Sequence, residues 1–207
     1  MVDPLLFTGF LAATALLVLS PGPIVSMIIA ETLGRSSRHG LAVALGAGVV
    51  LVLFQIIYIA GFSAVLMALP DWGFTAIRYG GVILLAHMAV QMLRSKGNVT
   101  IGEAPDKTPA QAFRHAMLLS ATNPKAILFF AAFYPQFISR DLPLTPQLIV
   151  MGFGFLIVAV GGDCTWVAAS SYARTWLVKK GGARFVTRLA GGVLLCGALL
   201  LLLINPA

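Results

Sequence analysis

Leu19-Ser20-Pro21-Gly22-Pro23 breaks an apolar stretch that otherwise runs from Leu5 to Ala30. Each proline lacks an N–H and pushes the residue before it out of the helical region, so two prolines around a glycine leave carbonyls of the preceding turn unpaired. In hydrocarbon, irregular backbone survives only where it is buried in protein or lines a wet cavity. The break is therefore read as half of a functional site.

Composition establishes that the surrounding solvent is lipid. Of 207 residues 59% are hydrophobic and only 10% charged, with a mean hydropathy of +0.94, far from the charge content of a soluble domain. The net charge of +7 is spread over the short gaps between apolar runs and leaves no patch for nucleic acid. Cys164 and Cys196 sit apart inside apolar segments and form no disulfide motif or metal-spaced cluster. Met1-Val2-Asp3-Pro4 lacks the basic start of a signal peptide, so the first run is expected to remain as a spanning helix.

Six runs are long enough to cross a bilayer, which takes about 20 residues each: Leu5–Ala30, Leu41–Leu69, Phe74–Leu93, Phe113–Ile138, Leu148–Tyr172 and Phe185–Ile204. Gly46, Ala47 and Gly48 in the second, and Gly152, Gly154, Gly161 and Gly162 in the fifth, predict close helix packing. The one long gap, residues 94–112, is polar and carries Glu103 and Asp106. Of the 14 Lys and Arg, all but Arg78, Lys125 and Arg140 fall in or beside the first, third and fifth gaps, which are thereby cytoplasmic. Both termini are expected outside the cytoplasm, with helix four running opposite to helix one.

The expected fold is an all-α membrane protein of six transmembrane helices, arranged as two inverted three-helix repeats with helices 1 and 4 broken. Residues 1–207 form a single integral membrane domain: repeat one 1–93, cytoplasmic loop 94–112, repeat two 113–207. Such repeats are common among secondary transporters. Arg78-Tyr79-Gly80-Gly81-Val82-Ile83-Leu84-Leu85 in the third run has a short, ordered match in Arg188-Leu189-Ala190-Gly191-Gly192-Val193-Leu194-Leu195 in the sixth, with chance in a Leu-, Val- and Gly-rich chain as the alternative. The counterpart of the first break is Asn123-Pro124-Lys125 in the fourth run. With a rise of 1.5 Å per residue, Pro23 lies roughly 18 Å from Arg35 and Pro124 roughly 15 Å from Arg114, both near the middle of the membrane.

Beyond each break a half-helix begins with proline at its first position. The N–H groups of Ile24, Val25 and Ser26, and of Lys125, Ala126 and Ile127, are expected to point into the gap, where a carboxylate would fit. A lysine as deep as Lys125 is expensive and marks a ligand, gate or pairing role. Asp163 is the only acidic residue deep in a run; holding an ammonium, carrying a proton and neutralising Lys125 all remain open to it. Gln55, Tyr58 and His87 are candidate cavity-lining residues, although each is also compatible with ordinary helix packing. Glu31 reads as a surface partner of Arg35, and His39 and His115 as residues without a specific role.

Leu19-Ser20-Pro21-Gly22-Pro23, Asn123-Pro124-Lys125 with the following Ala126 to Phe133, Pro135-Gln136-Phe137, and Asp163 with Tyr172 resemble the LysE/RhtB family of amino-acid exporters over nearly the whole chain. The resemblance implies a secondary transporter of the bacterial cytoplasmic (inner) membrane that moves amino acids or their derivatives outward. Substrate-binding residues on this reading are Ser20, Pro21, Gly22, Pro23, Ser26, Asn123, Pro124, Lys125 and Asp163, with Tyr172 beside the cavity candidates. Many relatives have a polar residue where this chain has Ile24, and the basic-amino-acid exporters look to have acidic residues where it has Ala47-Gly48-Val49 and Ile127-Leu128-Phe129. A neutral substrate, homoserine- or threonine-like, fits that departure.

The expected partners are the amino acid, a coupling ion, taken to be a proton, and the bilayer; a homo-oligomer is left open. No enzymatic activity, cofactor, resident metal or nucleic-acid partner is expected. The rival readings are an exporter of another small solute or a metal cation, and a redox or scaffold protein without transport.

Overall fold

Asp3 starts the first helix by accepting hydrogen bonds from the N–H groups of Leu5 and Leu6 on its carboxylate at 2.8 and 3.0 Å, a side-chain cap for donors that would otherwise be orphaned. In the computed structural model of the chain, residues 2–19, 22–62, 70–94, 107–130, 134–139 and 141–172 are described, with 188, 192, 195 and 196. Every regular element among them is helical: α1 (Pro4–Leu19), α2 (Pro23–Gly34), α3 (Ser37–Ile57) continuing into a π turn (Tyr58–Phe62), α4 (Asp71–Arg94), α5 (Pro109–Ala121), α6 (Pro124–Leu128), a 3₁₀ turn (Tyr134–Phe137) and α7 (Leu144–Tyr172).

Among the described residues, two elements are long and apolar enough to cross a membrane, Ser37–Gly61 and Leu144–Tyr172, about 37 and 43 Å at 1.5 Å per residue against a hydrocarbon core of about 30 Å. The α1 and α2 pair, bent by 51°, makes a third if counted as one broken span. This is the all-helical membrane architecture expected. The sixth run lies outside the described residues except for Arg188, Gly192, Leu195 and Cys196, all helical.

Several boundaries differ from the sequence reading. The second run leaves α-helical geometry at Tyr58. The fourth run starts earlier, at Pro109, because Thr108 and Gln111 form a reciprocal capping box behind a proline at the first helical position. It also contains more than one departure from the α-helix, since Pro135 sits inside a 3₁₀ turn. Glu31 pairs with Arg35 as expected but is buried. His39 does have partners: its ring bonds the Ser36 hydroxyl at 2.9 Å and the Lys107 carbonyl at 2.8 Å, tying the start of α3 to the approach to α5.

Packing divides the interior into two apolar clusters. One gathers Phe10, Tyr58, Phe129, Phe130, Tyr134, Phe137, Leu148 and Phe155; the other gathers Val25, Ile28, Ile29, Val43, Ala44, Ala116, Trp166 and Val167. Glycine allows the closest approaches. A methyl group on Gly46 would lie 2.4 Å from the Phe113 carbonyl oxygen, so α3 seats directly against the backbone of α5, and one on Gly152 would lie 2.7 Å from the Gln55 amide. Gln55 uses that space to donate to the Tyr134 hydroxyl at 3.1 Å and the Leu148 carbonyl at 3.3 Å, bonds that cross between elements.

Candidate functional site

Both breaks open onto one cavity of about 80 Å³, several times the roughly 10–15 Å³ that a single water needs. At the first break, Gly22 is extended (φ −140°, ψ −171°) and Pro23 takes the first helical position of α2. The Ser26 N–H already bonds the Gly22 carbonyl at 2.8 Å. Those of Ile24 and Val25 find no acceptor among the described residues. Gly22, Ile24 and Val25 all line the cavity, so the positive end of a 12-residue helix is presented to it.

The second break is closed differently, and the expectation of free N–H groups there is corrected. Asn123 caps α6 with its own side chain, accepting from the Lys125 N–H at 3.1 Å, and its carbonyl takes the N–H groups of Ala126 and Ile127 at 3.1 Å each. What this break contributes is the lysine side chain. Lys125 lines the cavity, and its ammonium donates to the carbonyl of Leu17, in the last turn of α1, where a cation complements the negative helix end.

Asp163 lies across the same cavity on α7. It is 6% exposed, and among the described residues no hydrogen bond or contact ion pair reaches its carboxylate. Lys125 and Asp163 are near enough for each charge to act on the other. A buried carboxylate without hydrogen bonds is costly unless something cationic or hydrated meets it. The site thus offers a cationic region, formed by the start of α2 and Lys125, and an anionic one at Asp163.

The remaining walls are mostly apolar: Leu17, Val18, Ala47, Leu51, Phe129, Phe155 and Ala159. Phe129 and Phe155 stack with ring centres 4.9 Å apart, and Phe10 and Phe130 pack against Phe129. Ser120 is a polar lining residue that the sequence reading missed; it sits one turn before Asn123.

Of the residues anticipated from sequence, Gly22, Asn123, Lys125 and Asp163 come together around the cavity. Ser20 and Pro21 lie outside the described residues. Pro23 and Pro124 shape the two helix starts without lining it, and Ser26 does not border it. Gln55 and Tyr58 are buried in the aromatic cluster instead. His87 is exposed on α4, bonded to Gln91 at 2.9 Å, and Tyr172 is 92% exposed at the end of α7.

Residues 15–204 match the family of LysE type translocators. The chain belongs to this family. Its membership makes the protein one of a family of translocators. The chain is 31% identical over 153 residues to a leucine efflux protein of Salmonella typhimurium, covering 72% of this chain and 68% of that one. It is 30% identical over 160 residues to an uncharacterized membrane protein of Pseudomonas aeruginosa, covering 74% and 71%, and 28% identical over 152 residues to one of Vibrio cholerae, covering 73% and 74%. No solved structure matches the chain.

Proposed function

We propose that this LysE type translocator exports a neutral amino acid or amino-acid derivative across the bacterial cytoplasmic membrane, and that the cavity between the two breaks is its binding site. The observation that carries this reading is the juxtaposition of a free helix start, Lys125 and an unpartnered Asp163 around one cavity. A zwitterion matches that set: its carboxylate is held by the N–H groups of Ile24 and Val25 with Lys125, and its ammonium by Asp163. The apolar remainder of the cavity receives the side chain. Homoserine and threonine satisfy the charges, while the hydrocarbon wall and a relative named for leucine efflux favour an aliphatic side chain.

On this reading the chain has six spanning helices in two inverted repeats, with both termini outside the cytoplasm. The halves rock about the two breaks to expose the midplane site to either side in turn. Export is coupled to a proton that exchanges with the ammonium at Asp163. Counterflow in proteoliposomes, with a panel of labelled amino acids, tests the assignment. Exchange of leucine, methionine or threonine but not lysine is expected, and a protein that exchanges no amino acid would sink it.

A further inference from the structure

Buried hydroxyl and indole groups in the packed helices normally have partners, because an unpaired polar atom in a low-dielectric interior costs about 1–3 kcal/mol. The seam between α2 and α7 departs from this rule three times. Thr32 Oγ1, Trp166 Nε1 and Ser170 Oγ are all buried and bond to nothing among the described residues. Other hydroxyls of α7 behave ordinarily: Thr165 donates to the Gly161 carbonyl at 2.8 Å and Ser171 to the Val167 carbonyl at 2.9 Å. Ser170, 0% exposed, does not bond back to its own helix.

The spacing of these groups is ordered. Asp163, Trp166 and Ser170 stand at i, i+3 and i+7 and so share one face of α7. On α2, Val25 at the cavity and Thr32 are likewise seven residues apart. Gly40 of α3 touches both helices at this end, because a methyl group there would collide with Thr32 Oγ1 and lie 3.3 Å from a Val167 methyl. One residue beyond Ser170, Ser171 bonds Ser37 Oγ at 2.8 Å on the exposed end of the bundle. The unpartnered groups therefore run from the cavity carboxylate to the surface at the end carrying Arg35 and Arg38.

We infer that this seam holds a short thread of water through which Asp163 exchanges its proton with the cytoplasm. Asp163 to Ser170 covers about 10 Å at 1.5 Å per residue, a gap that about three hydrogen-bonded waters bridge. Waters placed there would satisfy all three orphaned groups, the usual role of buried water. The inference rests on the amino-acid/proton reading above. In the export cycle the proton leaves the Asp163 carboxyl for the first water, each water passes one on, and one is released at the Ser37–Ser171 mouth. The carboxylate that remains then accepts the substrate ammonium. The titratable and charged groups on elements packed against α7 are Glu31, paired with Arg35, on α2, Arg38 and His39 on α3, and Tyr58 of the π turn; α1 carries none. Lys125 of α6 faces Asp163 across the cavity.

The test uses Thr32→Val and Ser170→Ala, singly and together, in proteoliposomes of the full chain. Leucine flux driven by a pH gradient requires Asp163 to release its proton, whereas leucine/leucine counterflow does not. The double variant should lose driven flux by about tenfold or more, short of the 10²–10⁴ that a positioned proton-transfer group contributes, and keep counterflow within about twofold of wild type. Unchanged driven flux, or a parallel loss of both activities as from damaged packing, would overturn the inference. A double variant that does not fold is replaced by wild type in D₂O, where driven flux should slow more than counterflow; equal slowing would overturn it as well. Wild type that counterflows but ignores a pH gradient also rejects the thread, whereas wild type without counterflow rejects the amino-acid reading itself.

Discussion

Lys125 donates its ammonium proton to the carbonyl of Leu17, 108 residues earlier in the chain, and so joins the second break to the helix end left open by the first. The same group lines the cavity, which gives it both a structural and a ligand-facing part. Replacement Lys125→Met keeps most of the stem and deletes the charge. Losing a charged hydrogen bond should lower stability by about 1.5–3 kcal/mol. Substrate affinity should fall about 30-fold or more, equivalent to roughly 2 kcal/mol. Thermal unfolding in detergent and counterflow at varied leucine concentration separate the two effects, and wild-type affinity in a folded variant would remove the lysine from carboxylate binding.

Asp163 should make transport depend on pH with a definite sign. If its ionised form holds the ammonium, wild-type affinity for substrate declines as pH falls and the carboxyl takes up its proton. Asp163→Asn is permanently neutral, so its affinity should be weak at every pH and its profile flat. Binding isotherms across a pH series check this, and a variant that retains the wild-type slope would show that another group titrates.

The apolar wall should measure the substrate's side chain. Ala47 and Ala159 line the cavity with Leu51, Phe129 and Phe155, and enlarging either alanine removes space that an isobutyl group would occupy. Ala47→Leu should shift selectivity from leucine toward alanine by at least about tenfold, since one methylene in a fitted pocket is worth about 1–3 kcal/mol. Competition between the two labelled amino acids in counterflow reads the ratio directly. An unchanged ratio would mean that the side chain lies elsewhere.

The two breaks were legible because proline and glycine act on the backbone locally, and Asp163 because a lone carboxylate in an apolar run has few innocent uses. The cap on α6 was legible in principle: asparagine before proline at a helix start is a strong N-cap signal, and it implied that the Lys125 N–H was already taken. The cavity wall was legible only in part. On α7 Asp163 marks a face, with Ala159 four residues before it, whereas α1 is apolar nearly all round, so nothing in its pattern marks the face carrying Leu17 as inward. For the same reason His87 and Tyr172 read as interior groups, whereas both are exposed.

Helix seating at Gly46 is a separate prediction, independent of the site. A methyl group there would stand 2.4 Å from a backbone carbonyl, whereas one on Gly161 would meet nothing within 4 Å among the described residues. Gly46→Ala should therefore force α3 and α5 apart and cost about 1–3 kcal/mol, as overpacked cores do. Gly161→Ala should leave stability unchanged or slightly raised, because alanine is the better helix former. Melting temperatures of the two variants in the same detergent should diverge; equal values would show that α3 and α5 accommodate the methyl without strain.

The strongest test of the inverted arrangement is orientation. Basic residues cluster in and beside the first, third and fifth gaps, while the N-terminal segment and the C-terminal tail carry none. That bias predicts both ends on the non-cytoplasmic side. It would also make the exposed ends of α2, α3 and α7, with Arg35, Arg38 and the Ser37–Ser171 pair, the cytoplasmic mouth required by the water thread. Reporter fusions, active only outside the cytoplasm, should be on at residue 1 and residue 207 and off when inserted between residues 94 and 107. With residue 1 outside, a cytoplasmic C-terminus would imply an odd number of spans, so that the two halves could not be inverted three-helix repeats. A silent N-terminal fusion with an active loop fusion would reverse the molecule, and the thread from Asp163 would then open to the outside.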